Sequence, residues 1–383
     1  MSSEGWKSLI FSEFVDINPL VRLDYSNEYS FVEMKDLNET LKYVYPSQKR
    51  KLTGGAKFQN NDTLFARITP CLENGKICQV KDLDGGFGFG STEFLVFRGI
   101  NGISDTDFVF YLSRSPVVRN FAEQNLIGTS GRQRVNKEAF SNLILFLPPL
   151  STQHRIAEIL SALDNKIELN RQTNVTLEAI AQSIFKEWFV DFNYPGATGE
   201  LVDSPLGPIP QGWQVSRLGD LADLSWGDTN TTKSSYTSEG YVAYSASGPD
   251  GYLPYYDYSK DGIVVSAIGA YSGRTWFAQE KWSCIKNTIR FWSTCKRISN
   301  EYLYLYTSRN FFWPLRGSAQ PFISQTDARN SLILVPDGVL AMFFGEIVKA
   351  FFRLIYKNDL ENINLIKMRD SLLPKLLSGE IEV

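Results

Sequence analysis

The sequence is poor in the residues that build metal and redox sites. Its 383 residues include a single histidine, His154, and four cysteines, Cys71, Cys78, Cys284 and Cys295. The cysteines are too few for a disulfide scaffold, and their spacing matches no C-x-x-C motif. One histidine excludes a multi-histidine metal site and histidine-dependent chemistry elsewhere in the chain. We therefore expect reduced cysteines that serve packing, and a histidine at the surface or in a helix cap.

Long apolar runs are also missing. No uncharged apolar segment approaches the roughly 18 residues that a bilayer span requires. The first residues, MSSEGWKSLIFSEF, have no basic segment followed by an uninterrupted apolar stretch, which a secretory signal would have. The sequence predicts a cytoplasmic protein without membrane association.

The motifs of nucleotide and cofactor enzymes are absent as well. No G-x-x-x-x-G-K-[ST] phosphate-binding loop occurs, and the glycine-rich residues 85–90 precede a predicted strand at 93–97 rather than a helix. We interpret them as a hairpin turn. The only Pro-Pro pair, at 148–149, lacks the flanking Asn or Asp and the aromatic residue of an adenine methyltransferase motif. We expect no cofactor in this chain.

One pattern keeps an enzyme hypothesis open. Asp24 precedes Glu33 and Lys35, and an E-x-K on a strand with an upstream Asp can bind Mg²⁺ and activate water for phosphodiester cleavage. The corresponding positions of the second half hold Ala243 and Ser245. A Mg²⁺-dependent nuclease is therefore an alternative function.

Charge is balanced overall but uneven along the chain. There are 39 Lys and Arg against 42 Asp and Glu, a net charge of −3. Residues 42–81 nevertheless hold eight basic against two acidic side chains, and residues 274–329 hold nine against three. Such neighbourhoods suit phosphate binding, although solvated surfaces without a function have the same composition.

Both neighbourhoods contain side chains that can contact DNA. Arg and Lys bind phosphates or guanine edges, Gln pairs with adenine, and small hydroxyl residues permit close approach. The candidate contacts in the first half are Lys49, Lys51, Lys57, Arg67, Thr69, Lys76, Arg132, Gln133 and Arg134. Those in the second half are Ser266, Tyr271, Arg274, Ser318, Gln320 and Gln325. Exposed loop residues without a role are the alternative for each.

The two basic neighbourhoods occupy corresponding places in an internal repeat. Trp6 and Trp213 open similar segments 207 residues apart, and residues 31–35 and 62–67 match 241–245 and 261–266 as strands. Later, residues 128–136 parallel 317–324, and each segment leads into an apolar strand that ends in proline. The sequence thus predicts two similar globular domains.

A long helix follows each proline, with apolar residues spaced by fours and threes as in a coiled coil. In the first helix these positions are Ile156, Leu160, Leu163, Ile167, Asn170, Asn174, Leu177, Ala181, Ile184 and Trp188. In the second they are Leu340, Phe344, Ile347, Phe351, Leu354, Asn358, Glu361, Leu365, Met368 and Leu372. Antiparallel pairing would place Asn170 and Asn174 opposite Leu354 and Asn358. Two amphipathic helices that pack only on their own domains are the alternative.

The boundaries follow from these helices. Asp337 is the expected N-cap of the second helix, Pro374 is expected to bend or end it, and a proline-rich linker occupies residues 194–210. We predict globular domains at 1–150 and 196–335, a central helix with the start of the linker at 151–195, and a C-terminal helix at 336–383.

The amino-acid sequence of the helices resembles that of the specificity subunit of type I restriction-modification systems. The resemblance runs the length of the chain and is most specific in LPPL at 147–150, QHRIAEILSALD at 153–164, KIELN at 166–170 and WFVDF at 188–192. GPIP at 207–210 with Gly212-Trp213, and LLSGE at 376–380, resemble the family's entry into its second domain and its C-terminal end.

The resemblance implies two target recognition domains of mixed α/β (α+β) fold, related by a pseudo-two-fold repeat and joined by two long antiparallel coiled-coil helices. Each domain would read half of a split double-stranded DNA site. The implied partners are two adenine-methylating modification subunits, which bind S-adenosylmethionine, and restriction subunits, which use ATP and Mg²⁺. This chain would then be non-catalytic. A protein-binding scaffold without DNA readout is a further alternative.

Overall fold

The computed structural model describes residues 5–129, 131–336 and 338–383. The chain forms two compact units, the first made of Met1–Gln172 with Asn358–Val383 and the second of Thr173–Lys357. Each long helix therefore contributes residues to both units, whereas the predicted boundaries assign each helix to a separate segment. The expected N-cap, Asp337, lies outside the described residues.

The chain up to residue 189 alternates short strands with a few helices. Its strands are β1 (Lys7–Ile10), β2 (Val15–Ile17), β3 (Glu28–Val32), β4 (Tyr43–Val44), β5 (Gln48–Lys51), β6 (Ala56–Gln59), β7 (Thr63–Ala66), β8 (Ile77–Val80), β9 (Phe87–Gly90), β10 (Phe94–Gly99) and β11 (Ile144–Leu147). Its α-helices are α1 (Phe11–Phe14), α2 (Thr106–Arg114), α3 (Pro116–Gln124) and α4 (Leu150–Phe189). Short 3₁₀ helices cover Met34–Asp36, Asp84–Gly86 and Lys137–Asn142.

The rest of the chain has a similar series. Its strands are β12 (Leu201–Val202), β13 (Ile209–Pro210), β14 (Gln214–Arg217), β15 (Ala222–Trp226), β16 (Tyr241–Ser245), β17 (Gly248–Leu253), β18 (Gly262–Ser266), β19 (Thr275–Ala278), β20 (Trp282–Cys284), β21 (Thr288–Ser293) and β22 (Leu332–Val335). Its α-helices are α5 (Leu218–Leu221), α6 (Asn300–Thr307), α7 (Gln325–Asn330) and α8 (Gly338–Leu377), with a 3₁₀ turn at Lys233–Ser235.

Sheet topology confirms the internal repeat. The first unit has sheets ordered β2-β10-β7-β8-β4 and β5-β3-β9-β6, and the second has β15-β21-β18-β19 and β17-β16-β20. The antiparallel pair β1 and β11 precedes α4 just as the pair β14 and β22 precedes α8. The parallel pair β3 and β9 corresponds to β16 and β20. The predicted strands of both halves lie at equivalent places in equivalent sheets, except that the first ends at Val32 and residues 33–35 are not extended strand.

Residues 85–90 differ from the expected hairpin turn. Residues 84–86 form a 3₁₀ turn, but β9 continues through Gly90 between β3 and β6. A Cβ on Gly88 would lie 2.8 Å from the Ser30 carbonyl oxygen, and one on Gly90 would lie 2.5 Å from that of Val32. These glycines are therefore needed for close strand packing, which explains their number without a turn throughout.

The helices α4 and α8 confirm the predicted long elements. In α8 the chain stays helical through Pro374 to Leu377, so of the two predicted effects this proline does not end the helix, and a bend stays a prediction. Pro374 is exposed and lies one turn before the end of α8, where its missing N–H removes one backbone hydrogen bond of the last turn.

Each unit has its own apolar core. In the first unit, α1, α2 and the sheet that contains β7 and β10 pack on the start of α4, and Leu373 and Leu376 of α8 join the same core. In the second unit, α6 and β18 pack on Phe185 and Phe189 of α4 and on Phe344 of α8. Proline-rich residues 194–210 are not a free linker throughout, because Tyr194 and Ile209 pack on the second core.

All four cysteines lie in the described part of the chain and are unbridged. Burial raises the pKa of Cys78 to about 11 and that of Cys284 to about 12, so these thiols stay protonated at neutral pH. Over the described ranges, no helix has both the length and the apolar character needed to cross a membrane.

Candidate nucleic-acid interface

Two loops of the first unit lie side by side and carry several candidate contacts. We define the first loop pair as residues 67–76, between β7 and β8, and the described residues of 127–135. The Thr69 N–H donates to the Gln133 carbonyl at 3.0 Å, and the Gln133 N–H donates to Thr69 Oγ1 at 3.1 Å. The Val135 N–H donates to the Arg67 carbonyl at 2.9 Å. The fold therefore brings Arg67, Thr69 and Gln133 together from positions far apart in sequence.

Glu93 positions the arginines of the first loop pair. Arg134 donates to both oxygens of this carboxylate, with its closest nitrogen at 2.7 Å, and Arg67 Nε lies 3.4 Å from Glu93 Oε2. The hydrogen bond from Arg134 lowers the pKa of Glu93, which is therefore ionised at neutral pH. Arg132 is exposed. The pair thus presents one fully exposed arginine beside two that are held in place.

The second unit builds the same arrangement. We define the second loop pair as residues 267–274, between β18 and β19, and residues 316–323. The Gly269 N–H donates to the Pro321 carbonyl at 2.9 Å, and the Ile323 N–H donates to the Ala267 carbonyl at 2.8 Å. Reciprocal backbone bonds join Arg316 and Phe322, as they join Ile127 and Arg134 in the first loop pair. The two loop pairs are therefore structural equivalents.

The second loop pair presents a different set of side chains. Tyr271 and Arg274 are exposed, and the Arg274 guanidinium lies 5.2 Å from the Tyr271 ring centre. Ser318 and Gln320 are exposed at the tip of the other loop. Tyr271 and Arg274 line a groove of about 820 Å³ within the second unit. These are donors, acceptors and aromatic surface accessible to an external ligand.

Several of the candidate DNA-contact residues have side chains that are buried or hydrogen-bonded within their own unit. Ser266 is fully buried in β18, and Gln325 is half-buried on α7 and donates to the Leu224 carbonyl at 3.2 Å. Thr69 is nearly buried and fixes the loop pair, and Lys76 donates to the Met34 carbonyl at 3.2 Å. The prediction for Ser266 is wrong, because its hydroxyl is buried inside the unit, whereas the DNA contact of the half-buried Gln325 stays a prediction. Lys42, which opens the basic run, is buried as well.

The remaining lysines lie on the sheet that contains β3. Lys49 and Lys51 are exposed on its edge strand β5, and Lys49 pairs with Asp84 at 2.5 Å. Lys57 lies on the opposite edge strand, β6, with its ammonium 5.1 Å from the Tyr25 ring centre. Lys57 shares a groove of about 430 Å³ with Arg67 of the first loop pair. Lys57 therefore extends the basic surface of that loop pair.

The nuclease pattern does not have the expected geometry. Glu33 caps a 3₁₀ helix that contains Lys35, so the E-x-K is not on a strand as predicted. Glu33 is paired with Lys35 and Arg50, each at 2.5 Å, and these pairs lower its pKa. Asp24 accepts from the Ser26 N–H in its own turn. Throughout the described ranges, no group of three or more His, Cys, Asp or Glu is placed to hold a metal ion.

The two long helices pair antiparallel in the first unit. Asn170 on α4 donates to Glu361 at 2.8 Å and to Asn362 at 3.0 Å. In the second unit, Asn174 donates to the Ile355 carbonyl at 3.4 Å, and Trp188 stacks on Phe343. The antiparallel direction agrees with the prediction. The register does not, because Asn170 faces residues about one turn further along α8 than Asn358.

Most predicted seam residues are buried or half-buried. On α4 these are Ile156, Leu160, Leu163, Ile167, Asn170, Asn174, Leu177, Ala181, Ile184 and Trp188. On α8 they are Leu340, Phe344, Ile347, Phe351, Asn358, Glu361, Leu365 and Leu372. Leu354 and Met368 are 43% and 52% exposed, so their assignment to the seam is wrong. The neighbouring Ile355 and Arg369 face inward instead, because the buried stripe lies one residue further along that part of α8.

Sequence reasoning missed three positioning residues. Asp164 and Arg369 pair across the helices of the first unit, and Glu93 holds the first loop pair. A charged residue at a helical spacing from apolar ones is ordinarily assigned to the solvent side, so Asp164 and Arg369 gave no signal alone. An acidic residue at the start of β10 gave none either. His154, expected at the surface or in a cap, is largely exposed and lies 3.4 Å from Asp105.

The repeated loop pairs and the paired helices match a known family. The model of the type I restriction modification DNA specificity domain matches residues 19–179 and again 210–367. The chain belongs to this type I DNA specificity family. Each match covers one loop pair and much of the following long helix, in agreement with the repeat seen in the fold.

Relatives of the specificity family match over most of the chain. The MjaIX specificity subunit of Methanocaldococcus jannaschii is 24% identical over 73% of this chain and 69% of its own length. The HindI specificity subunit of Haemophilus influenzae is 25% identical over 90% of this chain and 92% of its own. The crystal structure of a type I system S subunit from M. genitalium has the same fold, with a TM-score of 0.56 at 16% identity, covering 98% of this chain and 97% of that one.

Proposed function

We propose that this chain is the DNA sequence-recognition subunit of a type I restriction-modification complex. The observation that carries the proposal is the recurrence of one loop pair in two equivalent units of a chain of the specificity family. Two similar but chemically different reading surfaces suit a DNA site made of two different halves. Each unit would read one half.

The side chains of each loop pair support base and phosphate contacts. In the first unit, Arg132 and Gln133 lie beside Arg134, and in the second, Gln320 and Ser318 lie on the loop that pairs with Tyr271 and Arg274. Arginine binds guanine edges or phosphates, and glutamine pairs with adenine. Because the two sets differ, the half-sites differ in sequence.

In this proposal the chain itself is non-catalytic. Its partners are double-stranded DNA, two modification subunits and restriction subunits. S-adenosylmethionine belongs to the modification subunits, and ATP and Mg²⁺ belong to the restriction subunits. The helices α4 and α8 dock the modification subunits and set the number of unread base pairs between the half-sites. The pairing of Asn170 with Glu361 and Asn362 supports this role, since a polar contact in a seam fixes helix register.

The test is to sequence the methylated bases of a host that carries this chain with its modification subunit. The expected result is methylated adenine at one two-part sequence with a fixed gap. A host with the modification subunit alone is the control and should lack that methylation. Methylation that is unchanged without this chain would refute the proposal.

A cleavage assay tests the nuclease alternative. Purified chain is incubated with plasmid DNA and Mg²⁺, and cleavage that disappears in Glu33→Gln would favour it. No cleavage, together with sequence-specific methylation in the host, supports the recognition role. A scaffold that only binds protein would assemble with the modification subunit but leave it without sequence preference.

A further inference from the structure

An exposed phenylalanine stands beside the second loop pair. Phe311 is 101% exposed, and its φ of 62° lies in the left-handed region that phenylalanine rarely adopts. Both features are unfavourable for a residue without a function, since apolar surface and a disfavoured backbone each cost stability. At this exposure, packing among the described residues of the second unit does not account for the position of the ring.

The neighbours of Phe311 hold it outward. Phe312 packs on Tyr306 and on Trp313, with the Phe312 and Trp313 rings 4.8 Å apart. Trp313 Nε1 donates to Thr275 Oγ1 at 3.1 Å, which anchors the segment on β19. The left-handed turn at Phe311 therefore directs one aromatic ring to solvent while the next two are fixed in the unit.

Two arginines lie in the groove that Phe311 shares with the second loop pair. Phe311 lines the same groove of about 820 Å³ as Tyr271 and Arg274. Arg309 also lines this groove, with its guanidinium 3.8 Å from the Tyr306 ring centre. Among the described lining residues the one carboxylate is Glu178, and it accepts a hydrogen bond from the Tyr304 hydroxyl at 3.2 Å. Arginines around an exposed aromatic ring suit a polyanion that also offers flat bases.

We propose that Phe311 enters the DNA as an aromatic wedge and packs against the bases of the half-site read by the second unit. The proposal rests on the proposed recognition function and specifies one contact within it. Tyr271 adds aromatic surface, while Arg274 and Arg309 bind the flanking phosphates. Apolar wedges of this kind unstack a base step in other DNA-binding proteins, and phenylalanine is among the residues used.

The wedge belongs to the second unit alone. In the first unit the corresponding segment after α2 forms the helix α3, in which Val118 and Ala122 are buried. The segment after α6 in the second unit has no such helix. The effect of a Phe311 substitution should therefore be confined to one half-site.

The experiment uses the full chain assembled with its modification subunits and a duplex that carries the methylated site. Phe311→Ala should weaken binding of this duplex by about tenfold or more, as expected when a base–aromatic contact is lost. Phe311→Trp should retain binding. The matched control is Phe146→Ala, since Phe146 is an exposed aromatic residue of the first unit that stacks on Trp6. Thermal unfolding of the two Phe311 variants should resemble that of the wild type, because the Phe311 side chain is outside the core.

A fluorescent base identifies the contact directly. 2-Aminopurine is placed at each position of the second half-site in turn. Binding of the wild-type complex should increase the 2-aminopurine fluorescence at the one base step that is unstacked, whereas binding of the Phe311→Ala complex should not. Unchanged affinity and fluorescence in Phe311→Ala would overturn the proposal. Loss of assembly with the modification subunits, at unchanged DNA affinity of the residual complex, would overturn it in favour of a protein contact.

The outcome separates the wedge from the recognition function. If the wild-type complex binds all duplexes equally, the recognition proposal fails. If the wild-type complex selects its site and Phe311→Ala selects it equally well, only the wedge proposal fails.

Discussion

Asp164 on α4 and Arg369 on α8 form a buried ion pair in the first unit. Arg369 donates to Asp164 Oδ1 at 2.6 Å, and the two side chains are 2% and 1% exposed respectively. Tyr111 of α2 donates to the other carboxylate oxygen at 2.6 Å, and Arg369 also donates to the Thr40 carbonyl at 2.7 Å. One pair thus joins both helices to the recognition domain that they support.

We expect Asp164→Asn to destabilise the first unit by about 1–3 kcal/mol, because it removes the buried carboxylate and leaves the more exposed Asp370 as the counter-ion of Arg369. The double variant Asp164→Leu with Arg369→Met should be less destabilised, since it removes both charges of the pair together. Chemical denaturation of the assembled and free chain measures both. The control is Glu168→Gln, which removes a more exposed pair with Arg171 and should change stability by about 1 kcal/mol or less. Equal stability of the single and double variants would contradict the assigned role.

Glu93→Gln should weaken discrimination in the first half-site only. The substitution releases Arg134 and Arg67 from fixed positions and removes a negative charge, so binding to random DNA should strengthen while the preference for the correct first half-site falls. Competition binding with single-base variants of each half-site measures this. Glu123→Gln on α3 makes the same charge change outside the loop pair and should leave discrimination intact. An equal effect on both half-sites would argue against a local positioning role.

The same carboxylate gives a pH prediction. Arg134 lowers the pKa of Glu93 below its ordinary value of 4.5, so the stabilising contact is fully present above that pH. The contact is lost only as the pH falls through the lowered pKa of Glu93. The difference in unfolding temperature between wild type and Glu93→Gln should therefore be constant from pH 8 to about pH 5 and shrink in more acidic buffer. A difference that shrinks near neutral pH would show that another group controls the contact.

Exchange of residues 1–150 for the equivalent domain of a relative should change one half of the methylated site. The first loop pair would be replaced, whereas the second loop pair would be retained. Methylated-base sequencing of the host measures the result. A simultaneous change in both half-sites would show that the two units do not read independently.

A seven-residue insertion in both helices should lengthen the unread gap and leave both half-sites unchanged. One heptad after Leu177, with another after Arg353 on α8, preserves the apolar face and adds about 10.5 Å, equivalent to roughly three base pairs. A four-residue insertion is the control, because it also rotates the helix faces and should lower methylation. An unchanged gap with methylation intact would mean that the helices only dock the modification subunits.

The repeat and the long helices are predictable from local sequence patterns. Strand pattern and heptad spacing are local properties, so residues 62–67 and 261–266 were identifiable as equivalent strands, and Ile156 to Trp188 as one helical face. The placement of Gln133 next to Thr69 is not local, because hydrogen bonds between two loops that are far apart in sequence bring these residues together. Both residues were predicted as DNA contacts from their residue type, and the prediction did not include that they lie next to each other.

Which polar residues face outward depends on tertiary packing and is not predictable from residue type. Ser266 and Gln325 have the chemistry of DNA contacts, but one is buried in β18 and the other bonds the Leu224 carbonyl. For the same reason Met368 is exposed and Arg369 is buried, the reverse of the expected arrangement. The buried carboxylate of Asp164 stabilises an inward-facing arginine at that position. The periodicity of apolar residues predicts which face of a helix is buried. A charged residue is buried only where a counter-ion lies next to it, and the tertiary packing brings that counter-ion there.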